Sequence, residues 1–598
     1  MNSTPADYSE LRRLGVEDII ILDTEYNARK GEQVIPVCLC AVSLFSGKCW
    51  REFYEPNSPL TLPIDVKTLY VTFAAPAEWS YFLAAGWRLP FSIVDLFAER
   101  MLATNGHKDH KGKRKVPSLL RSLENYGIDA MLAAEKESMR DLILRGAPYT
   151  PDERESILDY CSEDVSNTVK LFHAMLPKLD IPRAIFRGSY TRAVAHVEFS
   201  GIPLDVEAVQ KLKRDWPGIG ARLATQFEAD HGYGCYIIED GEAHWSTKGF
   251  EALINSMGLS REWPRTANGN LMTSDAEGKA GKDVFKRMAE LHPELEDLRQ
   301  LRKTFSELKT FDLPIGLDGR CRTHPFPWWT VTGRNQPRKG FIYALPKWAR
   351  FLVKPAPGRA LAYLDLVSAE FGIAAALSQD RAMMETYRSG EDNYLKLAKL
   401  AGAVPQDATK ESHPNQRKLY KVAMLAAQYG ATEFGLSGQL GISKIEARDI
   451  LNDLKRIYEK YFTWIECTVI FAQNDHRLTA PMGWAMSINE YTKPRSVFNF
   501  PMQAACAEIL HIATTMMVDR GVQLCAMIHD AVLIEAAIED IERDCEIAKE
   551  CWRAASEIVL GGFALESDCT ITRFPDRYFE KDGEAMWNRL QAMIAPAA

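Results

Sequence analysis

At 598 residues the chain is several domains long, with about four as the expectation at roughly 150 residues each. A composition of 46% hydrophobic and 25% charged residues, with 37 Gly and 30 Pro, excludes a disordered, collagenous or coiled-coil protein and allows more than one buried core. The net charge of −8 excludes no partner, because an acidic chain can still gather its positive charge on one face. No run approaches the roughly 18 apolar residues of a membrane span, and MNSTPADYSELRR lacks the basic and apolar regions of a signal peptide. The expectation is a soluble protein that stays in the cell making it. Its 12 cysteines fit such a reducing compartment. Cys38 and Cys40 alternate along VIPVCLCAVSLF and read as buried small hydrophobes, and no CxxC has the matching second half of a zinc site.

The first 180 residues alternate strand-like runs (DIIILDTEY, VCLCAVSLF) with segments of helical spacing (EWSYFLAAGW, ESILDYCSEDVSNTVKLFHAML). Asp23 and Glu25 stand at i and i+2 on the first strand, so both carboxylates face one spot, where a divalent cation would relieve their repulsion. An isolated DxE is also what a solvated strand end looks like. Tyr160 and Asp164 lie four apart on a helix and share a face. Asp95, in IVDLFAER, reads as a helix start. Residues 200 to 310 are mostly helical with a polar interruption, PRTANGNLMTSDAEGKAGK. Residues 311 to 380 and 480 to 598 carry strand signals around a nearly all-helical 381 to 480, so one sheet domain is expected from both flanks.

Residues 334 to 359, RNQPRKGFIYALPKWARFLVKPAPGR, hold seven Lys or Arg and no acid, with Phe341, Tyr343, Trp348 and Phe351 interleaved. Cations for a phosphate backbone and rings for stacking predict a phosphate-facing surface; the plainer alternative is a basic loop covering acidic parts of the chain. Asp365 then ends a strand-like run, ALAYLDLVSAE, with Glu370 five residues on. His529 and Asp530 occupy a tight turn between strands in CAMIHDAVLIEA. On the helix between them Arg417, Lys421, Leu425 and Tyr429 are spaced by four and share one face. Two cations followed by an apolar and an aromatic residue suit a ligand with a polyphosphate at one end and a flat base at the other. An amphipathic core helix with solvated cations reads the same way.

From residue 185 onward the chain resembles the polymerase module of the family A (DNA polymerase I family) DNA polymerases, with its segments in family order. Helical text such as MAELHPELEDLRQLRKT is similar to the thumb. TGR at 332 to 334 resembles the primer-contacting segment, DLVSAE at 365 to 370 motif A, R-x3-K-x7-YG at 417 to 430 motif B, RSVFNFPMQ at 495 to 503 the template-holding segment, and HD at 529 to 530 motif C. The first domain resembles the proofreading 3′–5′ exonucleases of the DEDD type with a tyrosine, on DTE at 23 to 25 and YxxxD at 160 to 164. Its middle motif departs: Glu78 stands where the family has aspartate, and Ala74 where it has asparagine, in a register supported by Gly86.

These resemblances imply an α/β, ribonuclease H-like exonuclease domain at 1 to 182, then a right-hand polymerase. Its parts would be a thumb and connection at 183 to 310, an α+β palm at 311 to 380 and 481 to 598, and helical fingers at 381 to 480. They imply two Mg²⁺ ions, for which Mn²⁺ can substitute, on Asp23, Glu25, Glu78 and Asp164 with Tyr160 orienting water, and two more on Asp365 and Asp530. Arg417 and Lys421 would take the triphosphate, with Lys421 the candidate acid for pyrophosphate. Glu370 would exclude a 2′-hydroxyl, and Tyr429 would pack near the templating base. Arg334, Arg495, Asn499, Gln503 and His529 would contact primer–template DNA. Departures stand at Leu425, where an aromatic ring is usual, at Ala531 in place of an acid, and at Tyr394 in place of a histidine expected to touch the triphosphate. They suggest altered choice among deoxynucleoside triphosphates.

The expected protein is a monomeric DNA-templated DNA polymerase with proofreading and no 5′-nuclease domain. It is most similar to bacteriophage replicative enzymes acting in a bacterial cytoplasm, some of which use 2-aminoadenine; the sequence leaves replisome partners open. The alternatives are a 3′–5′ nuclease with a non-synthesising DNA-binding C-terminal part, a non-catalytic scaffold, and an RNA polymerase, which Glu370 disfavours.

Overall fold

The computed structural model describes residues 7–107, 116–128, 133–266, 268–273, 284–309, 311–337 and 339–594. Two compact units emerge, one of residues 1–201, 322–338 and 358–573, the other of 202–321, 339–357 and 574–598.

In the larger unit the chain first builds a five-stranded sheet from β1 (Asp18–Asn27), β2 (Ile35–Ser43), β3 (Cys49–Phe53), β4 (Thr68–Thr72) and β5 (Ser92–Asp95), in the order β3-β2-β1-β4-β5. β1 runs antiparallel to β2 and parallel to β4. Its four consecutive apolar residues, Ile19 to Leu22, are all buried because both faces of the sheet are covered. Ile19 and Ile21 pack against α4 (Pro151–Met175), whereas Ile20 and Leu22 pack against α1 (Ala75–Ala84). Between these helices lie α2 (Leu96–Ala103) and α3 (Ala133–Arg145). Asp95 caps α2 by accepting the Phe97 N–H at 2.9 Å, so it is the helix start its sequence suggests. Cys38 and Cys40 are buried in β2, and all twelve cysteines are free thiols.

Helix α5 (Ile181–Ser200) joins this sheet to a second one. Gly188 lies so close to β5 that a Cβ there would stand 1.9 Å from the Ile93 carbonyl oxygen. Trp79 Nε1 donates to Thr191 Oγ1 at 2.8 Å, and Arg187 grips Glu99 of α2 through two bonds of 2.6 and 2.8 Å, both side chains almost fully buried. Tyr190, Ala193, Val194 and Val197 enter the core of the second sheet, where Tyr190 stacks on His511 with centroids 3.9 Å apart.

That second sheet has the order β7-β8-β6-β9, from β6 (Arg359–Leu366), β7 (Gln523–Ile528), β8 (Ala531–Ala537) and β9 (Ser567–Arg573). Strands from both sides of the helical stretch thus form one sheet, as the pattern of strand signals predicts. Between β6 and β7 the chain is mostly helical, including α6 (Ala369–Ser378), α7 (Asn393–Leu400), α8 (Pro414–Gln428) and α9 (Pro494–Asp519); α10 (Ile541–Val559) packs on the sheet before β9.

The smaller unit holds the helices Val206–His231, Thr247–Ser256, Val284–Leu291, Glu296–Lys309 and Lys581–Met593, and a hairpin of Tyr236–Glu239 with Glu242–Trp245. Here the phosphate-facing reading of the basic stretch is corrected. Phe341, Tyr343, Trp348 and Phe351 are all at most 8% exposed, and Phe351 stacks on Trp587. Lys347 and Arg350 pair with Glu580, Lys347 also with Asp582, and Lys354 with Asp205. Acids from elsewhere in the chain thus pair these three of the seven cations of that stretch, and its rings fill a core.

Candidate active sites

The first site lies where β1 meets α4. Asp23 and Glu25 share a face of β1, and a bulge follows directly at Glu25/Tyr26. Asp164 comes from the middle of α4. Ligand oxygens of these three carboxylates all lie within 4.8 Å of one another, an arrangement that suits a hard divalent cation. Their environment also demands positive charge. Burial first, then Asp164, pushes Glu25 up to about 8, while Lys136 works against that rise. Asp23 is raised well above the usual carboxylate range by burial, then by Glu78, Glu25 and Asp164. Tyr160, one turn before Asp164, lies half-buried with its hydroxyl raised by burial and by Asp164.

Glu78 is 3% exposed and accepts a 2.5 Å hydrogen bond from Thr24, the residue between Asp23 and Glu25 on the opposite face of β1. It stands beside the three-carboxylate cluster but outside it. Ala74, just before α1, takes φ 70, a left-handed conformation that asparagine tolerates better than alanine. Gly86, also left-handed at φ 73, closes α1. The sequence reading missed Lys136 of α3, whose ammonium lies 2.5 and 2.8 Å from the two Asp164 oxygens and 5.5 Å from the centre of the Tyr160 ring. No local motif marks that lysine.

The second site lies at one end of the β7-β8-β6-β9 sheet. Asp365 is opposite Ala531 of β8 and opposite Asp568 of β9, with backbones roughly 4.5–5.5 Å apart for such partners. Asp530 sits in the two-residue turn before Ala531, and its carbonyl accepts the Leu366 N–H at 3.2 Å. Asp365 and Asp530, far apart in the chain, are thus brought to neighbouring strand ends. Burial, then Asp530 and Asp568, raises Asp365 to about 7, so the pair fits a bound cation. His529 and Ser368, which flank the aspartates, take φ 52 and 47. Such left-handed residues persist where surrounding structure holds them, often at functional positions. Asp568 was not foreseen; only the strand register reveals it.

Around this pair the remaining predicted residues gather. Tyr429, at the end of α8, donates its hydroxyl to the Glu370 carboxylate at 2.7 and 2.9 Å. Arg334 is 3.9 Å from Glu370, and burial is outweighed there by Cys506, Glu370 and Asp530, which together keep its guanidinium charge favoured. The Arg495 guanidinium lies 5.5 Å from the Tyr429 ring centre. Asn499 and Gln503 share a face of α9, one turn apart, and the Asn499 side-chain oxygen is buried without a hydrogen-bond partner. On α8, Arg417 is held by Asp392, the N-cap of α7, with Nε 2.7 Å from the carboxylate. Lys421 is exposed, 5.8 Å from the centre of the largely buried Tyr394 ring, and Leu425 is half-buried. His529 is exposed at the turn.

Comparison with known proteins follows the same map. A sequence profile described as DNA polymerase family A matches residues 251–571, more than half of the chain. DNA polymerase I of Aquifex aeolicus is 24% identical over 438 residues, covering 70% of this chain and 72% of the relative. The thermostable DNA polymerase I of Thermus aquaticus is 24% identical over 382 residues, 60% of this chain, which spans 44% of that relative. Among solved structures, the POL domain of Pol1 from M. smegmatis, in complex with DNA primer-template and dNTP, superposes with a TM-score of 0.65 at 19% identity, covering 95% of this chain and 96% of that one. No described helix is long and apolar enough to cross a membrane. The chain belongs to DNA polymerase family A.

Proposed function

We propose that this protein extends the 3′ end of a DNA primer by template-directed deoxynucleotidyl transfer, and that its N-terminal site removes 3′ nucleotides by phosphodiester hydrolysis. The observation that carries the first activity is the meeting of Asp365 and Asp530 on adjoining strand ends beside α8 and the Arg334–Glu370–Tyr429 cluster. Asp365 and Asp530 would hold two Mg²⁺ ions, which supply activation of the primer hydroxyl and charge neutralisation on the triphosphate. Arg417, once released from Asp392, and Lys421 bind the phosphates, and Lys421 donates a proton to the departing pyrophosphate. Tyr429 fixes Glu370 by two hydrogen bonds, which sets a wall against a 2′-hydroxyl. Arg334, Arg495, Asn499, Gln503 and His529 hold primer and template by shape and backbone contacts without reading base sequence.

At the N-terminal site Asp23, Glu25 and Asp164 would hold the metal ions, with Tyr160 orienting water. Glu78, bonded to Thr24, supports them from the side. The half-buried Leu425 puts an aliphatic side chain where an aromatic ring is usual on the nucleotide side of α8, and we extend the proposal to acceptance of 2-aminoadenine deoxynucleotide opposite thymine. Competition against dATP reads this directly, with Leu425→Phe expected to shift the preference.

Primer extension with four dNTPs and Mg²⁺ tests the main proposal. Failure to extend a matched primer while still degrading it would turn the reading to a nuclease with a DNA-gripping C-terminal part. Turnover of neither kind would leave a scaffold.

A further inference from the structure

Three carboxylates gathered within 4.8 Å of one another, with the buried Glu78 beside them, are costly to keep together without positive charge. The chain answers with its own cation. Lys136 reaches both oxygens of Asp164, and the two side chains are only 18% and 12% exposed, so the pair is shielded from solvent and from salt screening. Its helix is anchored at the far end, where Asn27 of β1 donates to the Ile143 and Leu144 carbonyls at 2.9 and 2.7 Å. A four-carbon stem on an anchored helix lets the ammonium leave Asp164 without dragging the fold.

We infer that Lys136 is a tethered counter-ion that competes with the divalent metal for Asp164. This rests on reading the three carboxylates as the nuclease's metal site. An ammonium on both oxygens blocks inner-sphere coordination by that carboxylate, so metal must displace it. Among the described residues no cation is paired with the palm aspartates: the nearby guanidinium, Arg334, feels Asp530 but lies against Glu370 at 3.9 Å. One chain would then require more free metal for hydrolysis than for synthesis, and falling metal would switch off removal of 3′ ends before it slowed extension.

Mn²⁺ binding to the full chain, followed by electron paramagnetic resonance, tests this. The background is Asp365→Asn with Asp530→Asn, so that the signal comes from the N-terminal site. Lys136→Met is expected to bind Mn²⁺ roughly 10- to 100-fold more tightly, the range for losing a charge-assisted bond, and Lys136→Arg to stay near the parent. Lys136→Gln, which keeps length and polarity, gives the same comparison should the methionine variant misfold. Unchanged or weaker Mn²⁺ binding in both neutral variants overturns the role of Lys136. Adding Asp23→Asn should abolish binding; if it does not, the metal-site reading falls and this inference with it. If Asp23→Asn abolishes binding while the neutral variants bind like the parent, only the inference falls. With the palm aspartates intact, the Mn²⁺ concentration for half-maximal hydrolysis should drop by the same factor in Lys136→Met, while that for synthesis stays put.

Discussion

At the N-terminal site Asp164 and Glu78 are 8% and 3% exposed, an ammonium sits on the first, and a hydroxyl is bonded to the second. At the second sheet, Asp365 and Asp530 lie at neighbouring strand ends, and their neighbours Ser368 and His529 take the strained backbone. The first arrangement stores its difficulty in charge, balanced from within. The second carries crowded acids too, with Asp365 raised by burial, Asp530 and Asp568, and adds strain in its backbone, held by the strands and turn around it. Two carboxylate sites in one folded unit can therefore answer differently to salt and pH.

The largest expected effect separates the two sites outright. Asp530→Asn should cut synthesis by roughly 100-fold or more and leave hydrolysis of a single-stranded primer intact, with Asp23→Asn giving the mirror image. Primer extension and end-degradation assays on the same preparations read both; loss of both activities in either variant would break the comparison. Next comes Thr24→Val, which removes a hydrogen bond to buried Glu78. It should cost about 1–3 kcal/mol in chemical unfolding and slow hydrolysis alone.

Titration sharpens the contrast. Folded-state values near 8 for Glu25 and near 7 for Asp365 lie above the ordinary carboxylate range. Acids raised on folding stabilise the protein below their unfolded values and lose that contribution as pH climbs through the folded ones. In EDTA the unfolding midpoint should therefore fall between about pH 5 and 8 through these groups, and Mg²⁺ should restore it at the upper end. Glu25→Gln and Asp365→Asn should each flatten the metal-free profile; an unaltered slope would mean that neither carboxyl holds its proton through folding. The smallest effect is local. Ala74→Gly relieves a left-handed alanine and should stabilise by about 0.5–1 kcal/mol with synthesis unchanged.

Much of this was legible in the sequence because the informative patterns are local. Asp23 and Glu25 at i and i+2, Tyr160 and Asp164 at i and i+4, and Arg417 to Tyr429 by fours each declare a shared face from chain geometry alone. What spacing cannot give is the partner across a sheet or the helix that folds over a site. Asp568 enters through the register of β9 on β6, and Lys136 through the packing of α3 on β1. The basic stretch misled for the same reason. Its composition invites an external polyanion, yet Asp205, Glu580 and Asp582, far off in sequence, supply the anions, and the interleaved rings go to the unit's interior.

Helix α5 has a bearing on how such a chain can be dissected. Its Gly188 accepts the backbone of β5 at a distance no side chain would allow, while Tyr190 and Val194, within the next two turns, help fill the interior beneath the second sheet. Removing the first 180 residues would strip one flank of that helix, leaving Arg187 without Glu99 and Thr191 without Trp79. A fragment that keeps only the synthetic half should therefore expose a sticky stripe and tend to aggregate. A single substitution at Asp23 is the gentler way to silence the proposed hydrolysis, because it leaves both flanks of that helix packed.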